Sequence, residues 1–149
     1  MKRYLIVSFL AVIMLGMTSC KNEPQFHKSA LYLTVAQNEW KYDDTNAQFY
    51  AHFNLPEITA NVYNYGNYSL HRVYNFETAN EYQVALPETV YLMEIYTDET
   101  TSETYEYYYQ QQVNYRIGPG YVEIQVTNSD YMYAPGNPER MDFHLQLTW

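Results

Sequence analysis

The sequence predicts an all-β domain, an antiparallel β-sandwich of seven to eight strands with one short helical turn; a closed β-barrel is the alternative. Three observations carry this. Apolar and polar residues alternate with period two over several separate segments, as half-buried strands require. Clusters of Gly, Pro, Asn and Asp punctuate those segments. The 149 residues include 19 Tyr and 6 Phe, which favour pleated, half-buried surfaces and argue against disorder.

Taken in order, Leu31, Leu33 and Val35 alternate with Tyr32 and Thr34 to give a first strand. Phe49, Ala51, Phe53 and Leu55 alternate with Tyr50, His52 and Asn54 to give a second, reached through a turn at Asp43-Asp44-Thr45-Asn46. Pro56 then precedes Ile58, Val62 and Tyr65 at helical spacing, with Gly66 as a stop, so one short helix or helical turn belongs here. Tyr68 to Tyr74 and Tyr82 to Leu86 are shorter strand candidates. Tyr91, Met93 and Ile95 alternate with Leu92, Glu94 and Tyr96, and the polar stretch Asp98 to Ser102 forms the following loop. Pairing Ile95 with Tyr105 would match the apolar phases of the two flanking strands.

The longest alternation runs from Tyr105 through Tyr107, Tyr109, Gln111, Val113 and Tyr115 to Ile117, and it resumes on even positions at Val122, Ile124 and Val126. The parity switch selects the register. Pairing Ile117 with Val122 sets Tyr115 against Ile124 and Val113 against Val126 on one face, whereas a one-residue slip would put Glu123 and Gln125 into the core. Pro119-Gly120 fits the central pair of a type II turn between them. Tyr131 to Arg140, with Pro135-Gly136-Asn137-Pro138, is a long connection. Phe143, Leu145, Leu147 and Trp149 alternate with Asp142, His144, Gln146 and Thr148 as a last strand.

The beginning of the chain has a different grammar. Lys2 and Arg3 precede an apolar run from Tyr4 to Leu15, followed by the small, weakly polar Gly16 to Ser19 and then Cys20. This is the three-part plan of a cleaved secretory signal; the run is too short for a permanent membrane helix, which needs about 20 apolar residues. Met17-Thr18-Ser19-Cys20 resembles the lipobox of bacterial lipoproteins, with Met17 in place of the usual Leu and Ser19 in place of the usual Gly or Ala.

The resemblance implies cleavage before Cys20, a diacylglycerol thioether on its sulfur and an acyl chain such as palmitate on the new N-terminus. A multiply acylated terminus is a stable anchor, because one chain alone holds only reversibly. It also favours the outer membrane, since Lys21 stands where an Asp would resemble an inner-membrane retention signal; whether the domain faces the periplasm or the cell surface stays open. The domains expected are therefore a signal peptide at 1–19, a lipidated tether at 20–27 and one β-sandwich at 28–149.

Charge narrows the partners. Eight Lys+Arg against 17 Asp+Glu give a formal charge of −9, which becomes −11 for the 130 residues after the signal. Such a chain lacks the dense basic surface that a nucleic-acid groove needs, so no nucleic-acid partner is expected. A single cysteine excludes an internal disulfide and a Cys-based zinc cluster.

No phosphate-binding glycine loop, nucleophile elbow or zinc helix is present in the sequence. His27, His52, His71 and His144 are not neighbours on any one strand or helix, and their reading is exposed or rim histidine. Asp43-Asp44-Thr45-Asn46 and Asn128-Ser129-Asp130 offer oxygen ligands but lack the spacing of a calcium loop, and such clusters ordinarily build turns. No catalytic residue, metal or cofactor is assigned, apart from the covalent lipid on Cys20.

Tyrosine remains the unusual feature. Tyr105, Tyr107, Tyr109 and Tyr115 share a phase with Val113 and Ile117 and read as core or rim. Tyr32, Tyr50, Tyr96 and Tyr108 stand opposite the apolar phase and are the candidate ligand-binding residues, because exposed Tyr is a rigid amphipathic contact for sugars or proteins. In plan the chain resembles the small, uncharacterised lipoproteins common in Gram-negative gut bacteria, several of which are β-sandwiches. The function expected is that of a non-enzymatic module anchored in the outer membrane and binding a glycan or an envelope protein. A structural accessory subunit of an envelope complex is the alternative, and a hydrolase ranks last.

Overall fold

The computed structural model describes residues 27–98, 100–129 and 136–149, without the side chain of Tyr96. Cys20, the signal and the tether to residue 26 lie outside the described residues. Nine strands are present: β1 (Lys28–Val35), β2 (Lys41–Asp43), β3 (Gln48–Asn54), β4 (Asn67–Tyr74), β5 (Tyr82–Ala85), β6 (Glu88–Thr97), β7 (Thr104–Gly118), β8 (Tyr121–Asn128) and β9 (Met141–Thr148). A 3-10 turn at Gln37–Glu39 and one helix, α1 (Ala60–Tyr65), complete the elements.

The strands form two antiparallel sheets, one ordered β1-β9-β4-β5 and the other β2-β3-β8-β7-β6. Four free edges among the described strands mean that the sheets do not close on themselves, so the architecture is a β-sandwich and the barrel alternative falls. The first two strands anticipated from the sequence belong to different sheets. Between them lies the short β2, which pairs with β3 around the Asp43 turn. Three residues carry too little alternation to be recognised.

Alternation puts one face of each sheet into a shared core. On β9, Met141 opposes Val35 and Phe143 opposes Leu33 of β1, and Leu145 opposes Leu70 of β4; Val122, Ile124 and Val126 of β8 join the same core from the other sheet. Phe143 and Ile124 are fully buried. Each such side chain contributes about 1.5–3 kcal/mol relative to exposure.

The β7–β8 hairpin has the register that the parity argument selects: Ile117 opposite Val122, Tyr115 opposite Ile124 and Val113 opposite Val126. Gly120 sits at φ +84°, the left-handed position of the type II turn.

One end of the sandwich is sealed by the segment before β4. Thr59 caps α1 by accepting a hydrogen bond from the Val62 amide, and Ile58 and Val62 are buried beneath it. The Ile58 carbonyl accepts from the Gly120 amide at 2.7 Å, which ties the segment to the β7–β8 turn. Gly66 lies so close to the Val62 and Thr148 carbonyls that a Cβ would stand 2.5 Å from the former. At the same end His27 and Trp149 exchange two backbone hydrogen bonds, so the ladder begins one residue earlier than the expected tether boundary.

Candidate functional site

The other end of the sandwich is unlike the sealed one. The β7–β8 ladder spans Gln111 to Gly118, Ser129 adds a bond to the Gln110 carbonyl, and from Thr104 to Tyr109 the long β7 pairs with β6 alone among the described strands. The two strands run on as a two-stranded ribbon.

Its register corrects the sequence expectation. Ile95 faces Glu106, not Tyr105, and Tyr91 faces Gln110. The cause lies in the composition of β6. Val90, Tyr91, Leu92 and Met93 are apolar in both phases, so alternation there cannot choose a face. Polar anchors on the inner side choose it instead. Glu88 accepts a hydrogen bond from the Tyr74 hydroxyl at 2.7 Å and lies 3.6 Å from the Arg72 guanidinium, and Glu94 accepts one from the Tyr109 hydroxyl at 2.8 Å. With Glu88, Val90, Leu92 and Glu94 turned inward, Tyr91, Met93 and Ile95 must face out.

They are among the most exposed large apolar side chains of the described residues. Tyr91 is 77%, Met93 48% and Ile95 65% exposed, and Tyr108, directly opposite Met93 on β7, is 66% exposed. Cross-strand neighbours in such a pair stand about 4.5–5.5 Å apart at Cβ, so the four side chains form one continuous apolar strip. Tyr105, read from the sequence as core or rim, is also half exposed, because the opposing sheet does not reach the ribbon tip. Its hydroxyl donates to Glu103, and that of Tyr108 donates to Glu106 at 2.8 Å. Both bonds hold the phenols in the neutral form and raise their pKa.

The inner side of the same region is polar. A cavity of about 340 Å³ is bordered by Arg72, Glu94, Tyr109, Gln111 and Asn128, among others. The Arg72 guanidinium lies 4.5 Å from the centre of the Tyr74 ring, and the Gln111 amide donates to Asn128 at 3.3 Å. Burial, reinforced by the bond to Glu94, pushes the Tyr109 hydroxyl up to about 12. Glu88 thus ties β6 to Tyr74 of the other sheet, whereas the Glu94–Tyr109 bond joins β6 to β7 within one sheet.

The four tyrosines anticipated as ligand contacts are not gathered in one place. Tyr32 lies on the outer face of the smaller sheet, stacked on His144 with ring centres 4.5 Å apart and 5.4 Å from Phe76. Tyr50 is half-buried on the outer face of the larger sheet, between Lys41 and Gln125. Tyr108 shares that outer face but lies six residues along β7 from Asn114, the neighbour of Gln125 in Tyr50's row, or about 20 Å at ~3.3 Å per residue. The Tyr96 side chain lies outside the described residues. Of the three whose side chains are described, Tyr108 alone joins the apolar strip, and the alternation of β6 hides Tyr91, Met93 and Ile95 by suggesting that they face inward.

The remaining polar candidates serve local structure. Asp43 accepts hydrogen bonds from the Thr45 and Asn46 amides and the Asn46 side chain, which hold its carboxyl below the usual range and close the β2–β3 turn. His144 contacts Gln83, and His52 lies 3.8 Å from Glu123. Among the described residues no three His, Cys, Asp or Glu side chains converge as a metal site would require. No helix among them is long and apolar enough to cross a membrane. No protein-family model, curated protein or solved structure matches the chain.

Proposed function

We propose that the protein is a lipid-anchored, non-enzymatic binding module of the outer membrane, and that it engages an envelope protein through the outer face of the β6–β7 ribbon. The observation that carries this reading is the strip of Tyr91, Met93, Ile95 and Tyr108, exposed on a ribbon that projects beyond the rest of its sheet. Contiguous exposed apolar surface rimmed by polar groups is the usual sign of a protein contact, and Tyr and Met are enriched at such contacts. A glycan platform would draw its exposed tyrosines into one concave row. Here they are scattered over both outer faces, α1 and the ribbon tip, which favours a protein partner. Anchoring rests on Cys20 and the apolar run before it.

The decisive measurement is site-specific photo-crosslinking in intact cells. A photoreactive phenylalanine at Tyr91 or Tyr108 is expected to capture a discrete protein, whereas the same group at Tyr65, 82% exposed on α1, captures none. Equal capture at all three positions, or none at any, overturns the docking role. For the anchor, Cys20→Ser is expected to abolish acyl labelling and membrane retention, and continued retention overturns it.

A further inference from the structure

Resting on that docking role, we propose that β6 receives a basic, extended segment of the partner as an added strand. β6 is an edge, since it pairs with β7 and with no other described strand. At ten residues it is the longest of the four edges, and its sequence from Glu88 to Thr97 contains none of the Lys or Pro residues by which edges are usually guarded.

The backbone geometry fixes which groups it offers. The Asp98 amide donates to the Glu103 carbonyl at 2.9 Å, one step beyond the last ladder pair of Thr97 with Thr104. Hydrogen-bonded and non-bonded pairs alternate in an antiparallel ladder, so Tyr96, Glu94, Leu92 and Val90 spend their amides and carbonyls on β7. Thr89, Tyr91, Met93, Ile95 and Thr97 aim theirs at the open edge. The β7–β8 ladder agrees independently: the Gln110 carbonyl accepts from Ser129, which leaves the odd residues of β7 for β6. The open backbone groups therefore belong to the residues whose side chains form the exposed apolar strip.

Charge defines the occupant. Among its described residues from Tyr91 to Gln112 the ribbon carries Glu94, Asp98, Glu103 and Glu106 and no Lys, Arg or His. An added strand with period two would lay apolar side chains beside Tyr91, Met93 and Ile95 on one face and turn Lys or Arg toward Glu94 on the other, within the field of the remaining ribbon carboxylates. A second copy of this chain brings the same carboxylates and a net charge of −9, and like charges brought together disfavour it. The match is to an alternating basic and apolar segment, bound by strand addition.

The test uses the full chain in detergent micelles and a fluorescent peptide, Lys-Val-Lys-Tyr-Lys-Val-Lys, followed by anisotropy. Saturable binding that weakens with salt is expected. The peptide with Glu for Lys, and the peptide N-methylated at alternate residues so that one edge loses its donors, should each bind at least about tenfold more weakly. Met93→Pro removes an edge-facing amide that β7 does not use and should weaken binding by a similar factor of about ten. Because the N-methylated peptide leaves the protein unaltered, the idea stays testable if that variant folds poorly. Undiminished binding of either control peptide overturns strand addition by a basic segment, as does a dimer of the chain that Met93→Pro disperses. If Tyr91 still captures a protein in cells when the peptides fail, the docking role survives and strand addition alone is lost; absence of both removes both.

Discussion

Replacing Tyr91 by Lys tests both the orientation of β6 and its proposed use. Tyr91 is 77% exposed, so only about a quarter of its side chain leaves water on folding, and of the ~1.5–3 kcal/mol for complete burial some 0.5 kcal/mol is at stake. Loss of β-propensity adds at most about 0.5 kcal/mol, since the whole scale spans ~1 kcal/mol. The cost expected is about 1 kcal/mol or less, or roughly 4 °C in the melting temperature of a domain this size.

In the register that sequence alternation suggests, Tyr91 would face inward beside the buried Tyr109. A lysine there would be a buried, unpaired charge, and destabilisation would exceed about 3 kcal/mol, or more than 10 °C. The assay is thermal unfolding followed by circular dichroism, with Val113→Ala, fully buried on β7, as the internal reference at about 2 kcal/mol. A Tyr91→Lys protein that melts further below the wild type than Val113→Ala does would refute the orientation on which the docking surface depends. If it melts near the wild type but still captures the partner from a crosslinker at Tyr108 with undiminished yield, the apolar strip is not the contact.

Phe143 is fully buried at the centre of the smaller sheet, so Phe143→Ala is expected to cost about 3–5 kcal/mol in urea unfolding; a loss under 1 kcal/mol would contradict the core described. Gly120→Ala forces a side chain into the left-handed turn position and should cost about 1 kcal/mol, read as an equal shift in a denaturant titration. The Tyr109 hydroxyl is raised to about 12 in the folded protein against an ordinary value near 10, so the unfolded chain releases this proton first. Stability from this group is complete below pH 10 and is lost as pH rises toward 12. Tyr109→Phe should flatten the fall in stability over that window, and an unchanged slope would remove Tyr109 as its source.

How much of this was legible in the sequence depends on whether a strand is apolar in one phase or two. In β7 and β8, Val113, Ile117, Val122, Ile124 and Val126 alternate with Asn, Arg, Glu and Gln, so only one register keeps charge out of the core, and the structure has it. In β6 the stretch from Val90 to Met93 is apolar throughout. Its register is decided by Arg72 and Tyr74, which sit on another strand in the other sheet and reach Glu88 across the sandwich. No local pattern encodes that contact. The candidate site follows the same division. Tyr108 could be picked out because it interrupts a clean polar phase, whereas Tyr91, Met93 and Ile95 looked like core. The stacking of Tyr32 on His144 was equally hidden, since it needs β1 and β9 to be neighbours although more than a hundred residues separate them.

The unequal lengths of β7 and β8 also set a distance. His27 enters the sandwich at the end closed by Gly66, Ile58 and the turn at Gly120, and β7 leaves that turn and runs 15 residues to Thr104. At ~3.3 Å per residue this carries the chain about 45 Å from the pole where the tether attaches. If Cys20 holds that pole at the bilayer, the ribbon stands at the far pole, clear of the lipid headgroups. Shortening residues 21–26 would then lower the whole domain without hiding its docking strip, whereas trimming the ribbon itself would shorten the reach of the molecule.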